Sequence, residues 1–210
     1  MEKLDNNMPL GLAGIMRIKN EAGFIEQCVT SCIDALDELI IVYNDCTDDT
    51  ADILVDLRAV YPGKIKVYEY PYKVYGANLS KQEYEYVKSL PADSPHLLCN
   101  YYNFALSKVS YSHAIKIDAD QLYFSEILAY WRKVIVNRTC VRGSVVGAIF
   151  HYAFTAYRFV SLKLGRRIPF LPEWLIRTMK PYYEQYAISQ LAKGKAAISL
   201  SGLNVFWDQE

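Results

Sequence analysis

At 210 residues, 52% hydrophobic and 22% charged, the chain is long enough for one domain with a real core, and its even composition excludes collagen-like, low-complexity and repeat architectures. Its 23 Lys and Arg balance 23 Asp and Glu, so it lacks the overall positive charge of a typical nucleic-acid binder, and nucleic acid is not an expected partner. Five cysteines (28, 32, 46, 99 and 140) are an odd number without zinc-type pairing, and the polar opening from Met1 to Asn7 is no signal peptide, so a reduced cytoplasmic location is expected.

Residues 11–18 (Gly-Leu-Ala-Gly-Ile-Met-Arg-Ile) predict a first strand that runs into Lys19-Asn20-Glu21. From Glu21 to Leu36 the apolar Phe24, Ile25, Cys28, Cys32, Ile33 and Leu36 follow helical spacing, which makes Cys28 and Cys32 small core residues rather than a redox or metal pair. Glu38 to Tyr43 is a buried-type strand. The next helix, striped by Ile53, Leu54, Leu57 and Val60, is expected to be capped by Thr47 or Asp48. Pro62-Gly63 turns the chain into a third strand, Lys64 to Tyr70. Two successive strand–helix–strand units imply right-handed parallel crossovers and a Rossmann-like, mixed but mostly parallel α/β sheet flanked by helices. Gly-x-Gly-x-x-Gly is absent, which argues against a nicotinamide or flavin cofactor.

Residues 71–98 are a polar excursion with one helix over Lys81 to Lys88. Asn100 is placed to cap a helix from Tyr101 to Lys108, and Ser125 to Val136 is a further helix. Ser144 to Tyr152 is β-branched enough for another strand. Beyond it, residues 153–195 are aromatic and basic. Residues 131–195 hold 12 Lys and Arg against 2 Asp and Glu, whereas residues 1–130 hold 11 against 19. That asymmetry predicts an acidic catalytic half, 1–130, and a basic segment, 131–210, that meets phosphate or an anionic membrane surface; mutual neutralisation of the two halves is the competing explanation. His151, Arg158 and Lys163 interrupt the apolar run from Val145 to Leu164, so a spanning helix is not expected. An interfacial helix or an amphipathic helix pair fits, with peripheral membrane contact through 153–195.

Between the two halves stands His113-Ala114-Ile115-Lys116-Ile117-Asp118-Ala119-Asp120-Gln121. A β-type run ends there in two carboxylates one residue apart, positions that share a face if the strand continues through them. In open α/β sheets the carboxyl ends of strands form the ligand crevice. Two bare carboxylates would repel a diphosphate by roughly 4 kcal/mol per charge pair at 4 Å and an effective dielectric near 20. A hard divalent cation held between them, Mn2+ or Mg2+, reverses the sign. The competing explanation is that both aspartates simply form a turn.

Three pieces therefore recur in order: Met16-Arg17-Ile18-Lys19-Asn20-Glu21, Tyr43-Asn44-Asp45-Cys46-Thr47-Asp48-Asp49-Thr50, and Asp118-Ala119-Asp120. Together they resemble the nucleotide-sugar-binding half of GT-A glycosyltransferases, in particular family-2-like bacterial enzymes of surface-polysaccharide synthesis, over about residues 10–130. The resemblance implies a GT-A-type sheet and a nucleotide-sugar pocket, UDP-linked by preference, formed by Arg17, Asn20, Glu21, Asn44, Asp45, Asp48 and Asp118. Asp118 and Asp120 would hold Mn2+ or Mg2+. Tyr43-Asn44 departs from the Asp-Asp of many members. Inverting relatives place a carboxylate base roughly ninety residues past Asp-x-Asp, which points to Asp208; an ordinary surface carboxylate near a terminus is the competing explanation. The chain stops at Glu210, soon after an apolar strand-like run from Ala197 to Trp207, so a C-terminal truncation is expected. The implied activity is transfer of a sugar to a glycan or lipid-linked acceptor at the inner face of the cell membrane. A nucleotide-sugar-binding scaffold domain is the non-catalytic alternative, and a nucleotidyltransferase is disfavoured because Met16 to Glu21 lacks a Gly-rich loop. A haloacid-type phosphatase is disfavoured by Leu122, where Thr or Val is needed.

Overall fold

The computed structural model describes residues 8–76, 78–136, 144–164, 172–192 and 202–204. The chain forms two compact units, residues 1–136 with 200–210, and residues 137–199.

The first unit is built on a four-stranded, wholly parallel sheet. Strands β1 (Leu12–Ile18), β2 (Glu38–Tyr43), β3 (Ile65–Glu69) and β4 (His113–Ile117) lie in the order β3-β2-β1-β4. All of β1 except Arg17 and all of β2 except Tyr43 are buried, the pattern of strands covered on both faces. On one face Ala13, Ile15, Ile40 and Val42 pack with Tyr70, Tyr101, Ala105 and Val109. Tyr101 and Ala105 come from α4 (Leu98–Ser107), which lies against β1 and β2. The opposite face includes Gly14, where an added Cβ would meet Leu36 and Leu39 at 2.7 Å. Helix α1 (Ile25–Cys32), continued by a 3-10 turn over Ile33–Ala35, buries Cys28 and Cys32 completely. Helix α2 (Thr50–Val60) crosses from β2 to β3, α3 (Lys81–Ser89) stands in the polar excursion, and α5 (Ser125–Val136) follows β5 (Gln121–Tyr123). β5 pairs antiparallel with β6 (Gly202–Asn204), inside the strand-like run expected near the C-terminus.

Ser80 caps α3 by accepting the Glu83 amide at 3.3 Å, while Glu83 accepts the Ser80 amide at 3.1 Å, a reciprocal capping box. At the sheet's N-terminal edge the buried Glu38 carboxylate accepts hydrogen bonds from Lys66 Nζ at 2.6 Å and the Ser110 amide at 2.6 Å. It is a structural charge, at the end of the sheet opposite the candidate site.

Three expectations change. Asn100 lies within α4 rather than capping it, because its amide donates to the Ala92 and Ser94 carbonyls at 2.7 and 2.8 Å. The cap of α2 falls at Asp49, which makes no side-chain cap bond, while Asp48 accepts the Thr50 amide at 3.1 Å. Residues 145–152 are helical, not a strand.

That helix, α6 (Val145–Leu164), pairs with α7 (Glu173–Ala192) in the second unit. Their contact lies on one helical face: a Cβ at Gly147 would come within 2.0 Å of the Tyr182 carbonyl oxygen, and His151 stacks on Tyr183 with ring centroids 5.9 Å apart. A period near 3.6 with Gly at the closest approach selects helix over strand despite Val145 and Val146. Among the described residues no helix is long and apolar enough to cross a membrane.

Candidate functional site

Parallel strands put all their carboxyl ends on one edge. The chain runs from β1 outward to β3, then returns to the other side of β1 as β4, so the switch point, where an open sheet binds its ligand, lies between the ends of β1 and β4. The β1 end carries Lys19-Asn20-Glu21 and the β4 end Asp118-Ala119-Asp120.

The β1 loop is stapled to the β2 loop. Asn20, at φ 57, accepts the Thr47 amide at 2.7 Å through Oδ1 and donates from Nδ2 to Thr47 Oγ1 at 3.1 Å. Asn is among the few residues that enter this left-handed region readily. The Glu21 amide donates to Thr50 Oγ1 at 2.9 Å and the Ala22 amide to Asp48 Oδ2 at 3.1 Å. Lys19 pairs with Asp45, itself at φ 49. Asn44 is buried, and its amide donates to the Tyr72 carbonyl at 3.5 Å. Asn20, Asp45 and Asp48 are thus structural staples as well as pocket candidates. Arg17 stacks its guanidinium on Tyr102 of α4, with Cζ 3.3 Å from the ring centroid.

Asp118 and Asp120 do not sit on a continuing strand. β4 ends at Ile117, and the Gln121 amide donates to the Asp118 carbonyl at 3.2 Å, closing a turn across 118–121. The turn is fixed from beneath: the Asp118 amide donates to Tyr123 Oη at 2.9 Å, that hydroxyl donates to Gln121 Oε1 at 3.0 Å, and the Cys28 thiol donates to the Asp118 carbonyl at 3.3 Å. Desolvation pushes the Tyr123 phenol up to about 12, so it stays a neutral donor. Lys116 Nζ lies 2.7 Å from one Asp118 carboxylate oxygen and 2.9 Å from the other.

The loops meet electrostatically at Glu21. Burial, then the Asp120, Asp48 and Asp118 carboxylates, holds its carboxyl above the usual range. Desolvation works against ionisation of Asp48, but bonds from Thr50 and the Ala22 amide outweigh it and hold that carboxyl low. Four carboxylates around one edge, with Lys116 as counter-charge to Asp118, make a field suited to a hard cation. Among the described residues no three His, Cys, Asp or Glu side chains are grouped tightly enough to hold a metal alone. Asp118 and Asp120 offer carboxylate oxygens, the donor type hard cations take, with both Asp118 oxygens paired to Lys116 Nζ.

Asp208 lies outside the described residues. Sequence reasoning missed Thr47, Thr50, Tyr102, Lys116 and Tyr123. Of these only Lys116, a cation two residues before Asp118 in a strand, carried a spacing signal. A cleft of about 650 Å³ opens at the end of β3 and is lined by none of the expected site residues.

The sequence profile of a family described as Beta-1,4-N-acetylgalactosaminyltransferase (CgtA) matches residues 2–152, which contain all three motifs. No curated protein sequence matches the chain. Among solved structures, S. aureus TarS 1-349 is similar at 19% identity over 61% of this chain and 33% of that one, with a TM-score of 0.40. The same fragment in complex with UDP aligns at 18% identity over 61% and 32%, with a TM-score of 0.40. Glucosyl-3-phosphoglycerate synthase from Mycobacterium tuberculosis, in complex with Mn2+, UDP-glucose and phosphoglyceric acid, aligns at 18% identity over 67% and 47%, with a TM-score of 0.36. The chain spans about a third of the TarS fragment and under half of the synthase.

Proposed function

The chain belongs to the CgtA family of beta-1,4-N-acetylgalactosaminyltransferases, and from that membership we propose that it transfers an N-acetylhexosamine from a UDP-linked donor to a hydroxyl of a glycan or lipid-linked acceptor in surface-polysaccharide synthesis. The observation that carries this reading is the convergence of the β1, β2 and β4 loops at the sheet's switch point, where Glu21 feels Asp48, Asp118 and Asp120 together.

In the reaction, an acceptor oxygen forms a bond to the donor's anomeric carbon as the bond from that carbon to the β-phosphate oxygen breaks, releasing UDP. A β-linked product from an α-linked donor requires inversion, hence a single displacement in which the acceptor proton passes to a base. Asp208 is our candidate for that base. Asp118 and Asp120 would hold Mn2+ or Mg2+, which when bound supplies Lewis-acid neutralisation of the leaving diphosphate. Glu21 and either Asn44 or Asp45 would meet the base and ribose, the Asn20–Thr47 staple ties the β1 and β2 loops, and Arg17 stacks on Tyr102 of α4.

The second unit would rest on the inner face of the membrane. On α6, Val145, Ile149, Tyr152 and Phe159 recur at helical spacing and are each at least 59% exposed. The 12-to-2 excess of basic residues across 131–195 favours anionic headgroups.

Calorimetry with UDP and Mn2+ tests the site. The wild-type chain should bind UDP only with the cation. Asp120→Ala should abolish that binding while changing unfolding stability by less than about 0.5 kcal/mol, as expected for an exposed side chain. Binding of UDP that ignores both the cation and the substitution would reject the reading.

A further inference from the structure

The cleft at the end of β3 is open to solvent and lined by none of the residues expected to bind the donor. Glu69 and Tyr72 form one side, Asn103, Phe104 and Ser107 of α4 another, and Asp93 of the intervening loop a third. The walls are tied to each other: Tyr70 Oη donates to the Pro95 carbonyl at 2.9 Å, and the Asn100 amide holds the Ala92 and Ser94 carbonyls. Tyr72, 45% exposed, is held edge-on against Tyr70 at a centroid distance of 5.3 Å. One side therefore presents an aromatic ring packed on its neighbour, and the rest of the lining presents amide, hydroxyl and carboxylate groups.

The lining chemistry selects the ligand. Among the described residues, two carboxylates and no Lys, Arg or His line the cleft, so a phosphate-bearing ligand would be repelled. A neutral pyranose matches: its apolar C–H face covers an aromatic ring, and its hydroxyls donate to carboxylate and amide oxygens. About 650 Å³ lies within the range of small-ligand sites. Three strand spacings of about 4.8 Å separate β3 from β4, which puts the cleft roughly 14 Å along the sheet edge from the aspartate pair, within reach of a short oligosaccharide. The Asn44 amide, bonded to the Tyr72 carbonyl, joins the two regions.

We propose that this cleft is a second carbohydrate subsite, which grips neutral sugar residues of the acceptor glycan away from the hydroxyl that reacts. That the sugar belongs to an acceptor rests on the transferase reading; that the cleft takes a neutral saccharide rests on its lining.

The test is saturation-transfer NMR on the full chain with neutral di- to tetrasaccharides ending in galactose, glucose or N-acetylhexosamine. At least one should receive saturation. Tyr72→Ala, which removes the ring, and Ser107→Trp, which fills the cleft from an exposed helix position, should each weaken binding at least tenfold and leave the heat of UDP binding with Mn2+ unchanged. Asp120→Ala should do the reverse. The proposal is overturned if no saccharide receives saturation, if both cleft variants bind as tightly as wild type, or if UDP without a cation displaces the sugar, which would make the cleft the nucleobase pocket. Failure of the transferase reading looks different: saccharide binding by the cleft would persist while UDP with Mn2+ bound nowhere.

Discussion

Asn20 shows how one side chain can serve both the backbone and the site. Its two bonds to Thr47 join the β1 and β2 loops, and its φ of 57 is a conformation that alanine adopts at a cost of roughly 1 kcal/mol. Asn20→Ala should therefore lose about 1–2 kcal/mol of stability by urea unfolding, combining backbone strain with two partly exposed hydrogen bonds. It should also weaken cation-dependent UDP binding by loosening the loop that carries Glu21. Asn20→Gly relieves the strain without restoring the staple. It should recover part of the stability and little of the binding; full recovery of both would reduce Asn20 to a turn former. That Asn20-Glu21 and Asp118-Ala119-Asp120 follow strand ends was legible from sequence, because β-type runs stop just before them. Thr47, Thr50 and Tyr123 were not, since a hydroxyl that accepts one amide looks like any other Thr or Tyr until the partner loop arrives.

Among elements, β2, α5 and most of β1 could be read directly, because runs such as Glu-Leu-Ile-Ile-Val-Tyr have one buried solution in a parallel sheet. Residues 145–152 could not: a short apolar run fits either period, and only the close approach of Gly147 to Tyr182 decides it. How α5 is fastened was also hidden. Asp37, between the 3-10 turn and β2, accepts from Arg132 Nε at 2.9 Å and Nη2 at 2.5 Å on α5, and from the Leu12 amide at 2.9 Å on β1. Desolvation raises the Asp37 carboxyl, but Arg132 and the Leu12 amide outweigh it and hold the group below the usual carboxylate range. A lowered folded-state value means stability that is present above the unfolded pKa, about 4, and is lost as pH falls through the folded value. Asp37→Asn should cost about 1 kcal/mol at pH 7, screened on the Arg132 side, which is 39% exposed. That gap should shrink below pH 4. Urea midpoints measured at pH 7 and pH 3 check it, and an equal gap at both values would remove Asp37 from the acid response.

At the scale of the whole chain, charge divides where structure divides. The unit that carries the parallel sheet holds nearly all the acidic side chains, and the helical pair lies in the basic stretch. An acidic site needs a cation before it can accept a diphosphate, whereas a basic, aromatic helix pair needs none to meet an anionic lipid surface. The two activities should therefore separate by condition. Vesicles containing phosphatidylserine should sediment the chain at low salt, less so at 0.5 M salt, where the Debye length has shrunk to about 4 Å. Ile149→Ser with Phe159→Ser removes two exposed members of the α6 stripe and leaves in place Tyr152, which hydrogen-bonds Tyr186 of α7. That variant should lose most of the vesicle binding and keep cation-dependent UDP binding, since no aspartate of the switch point is altered. If it sediments as the wild type does, or if neutral vesicles capture both equally, the stripe is not a lipid-facing surface, and the basic stretch serves another polyanion or the acidic half itself.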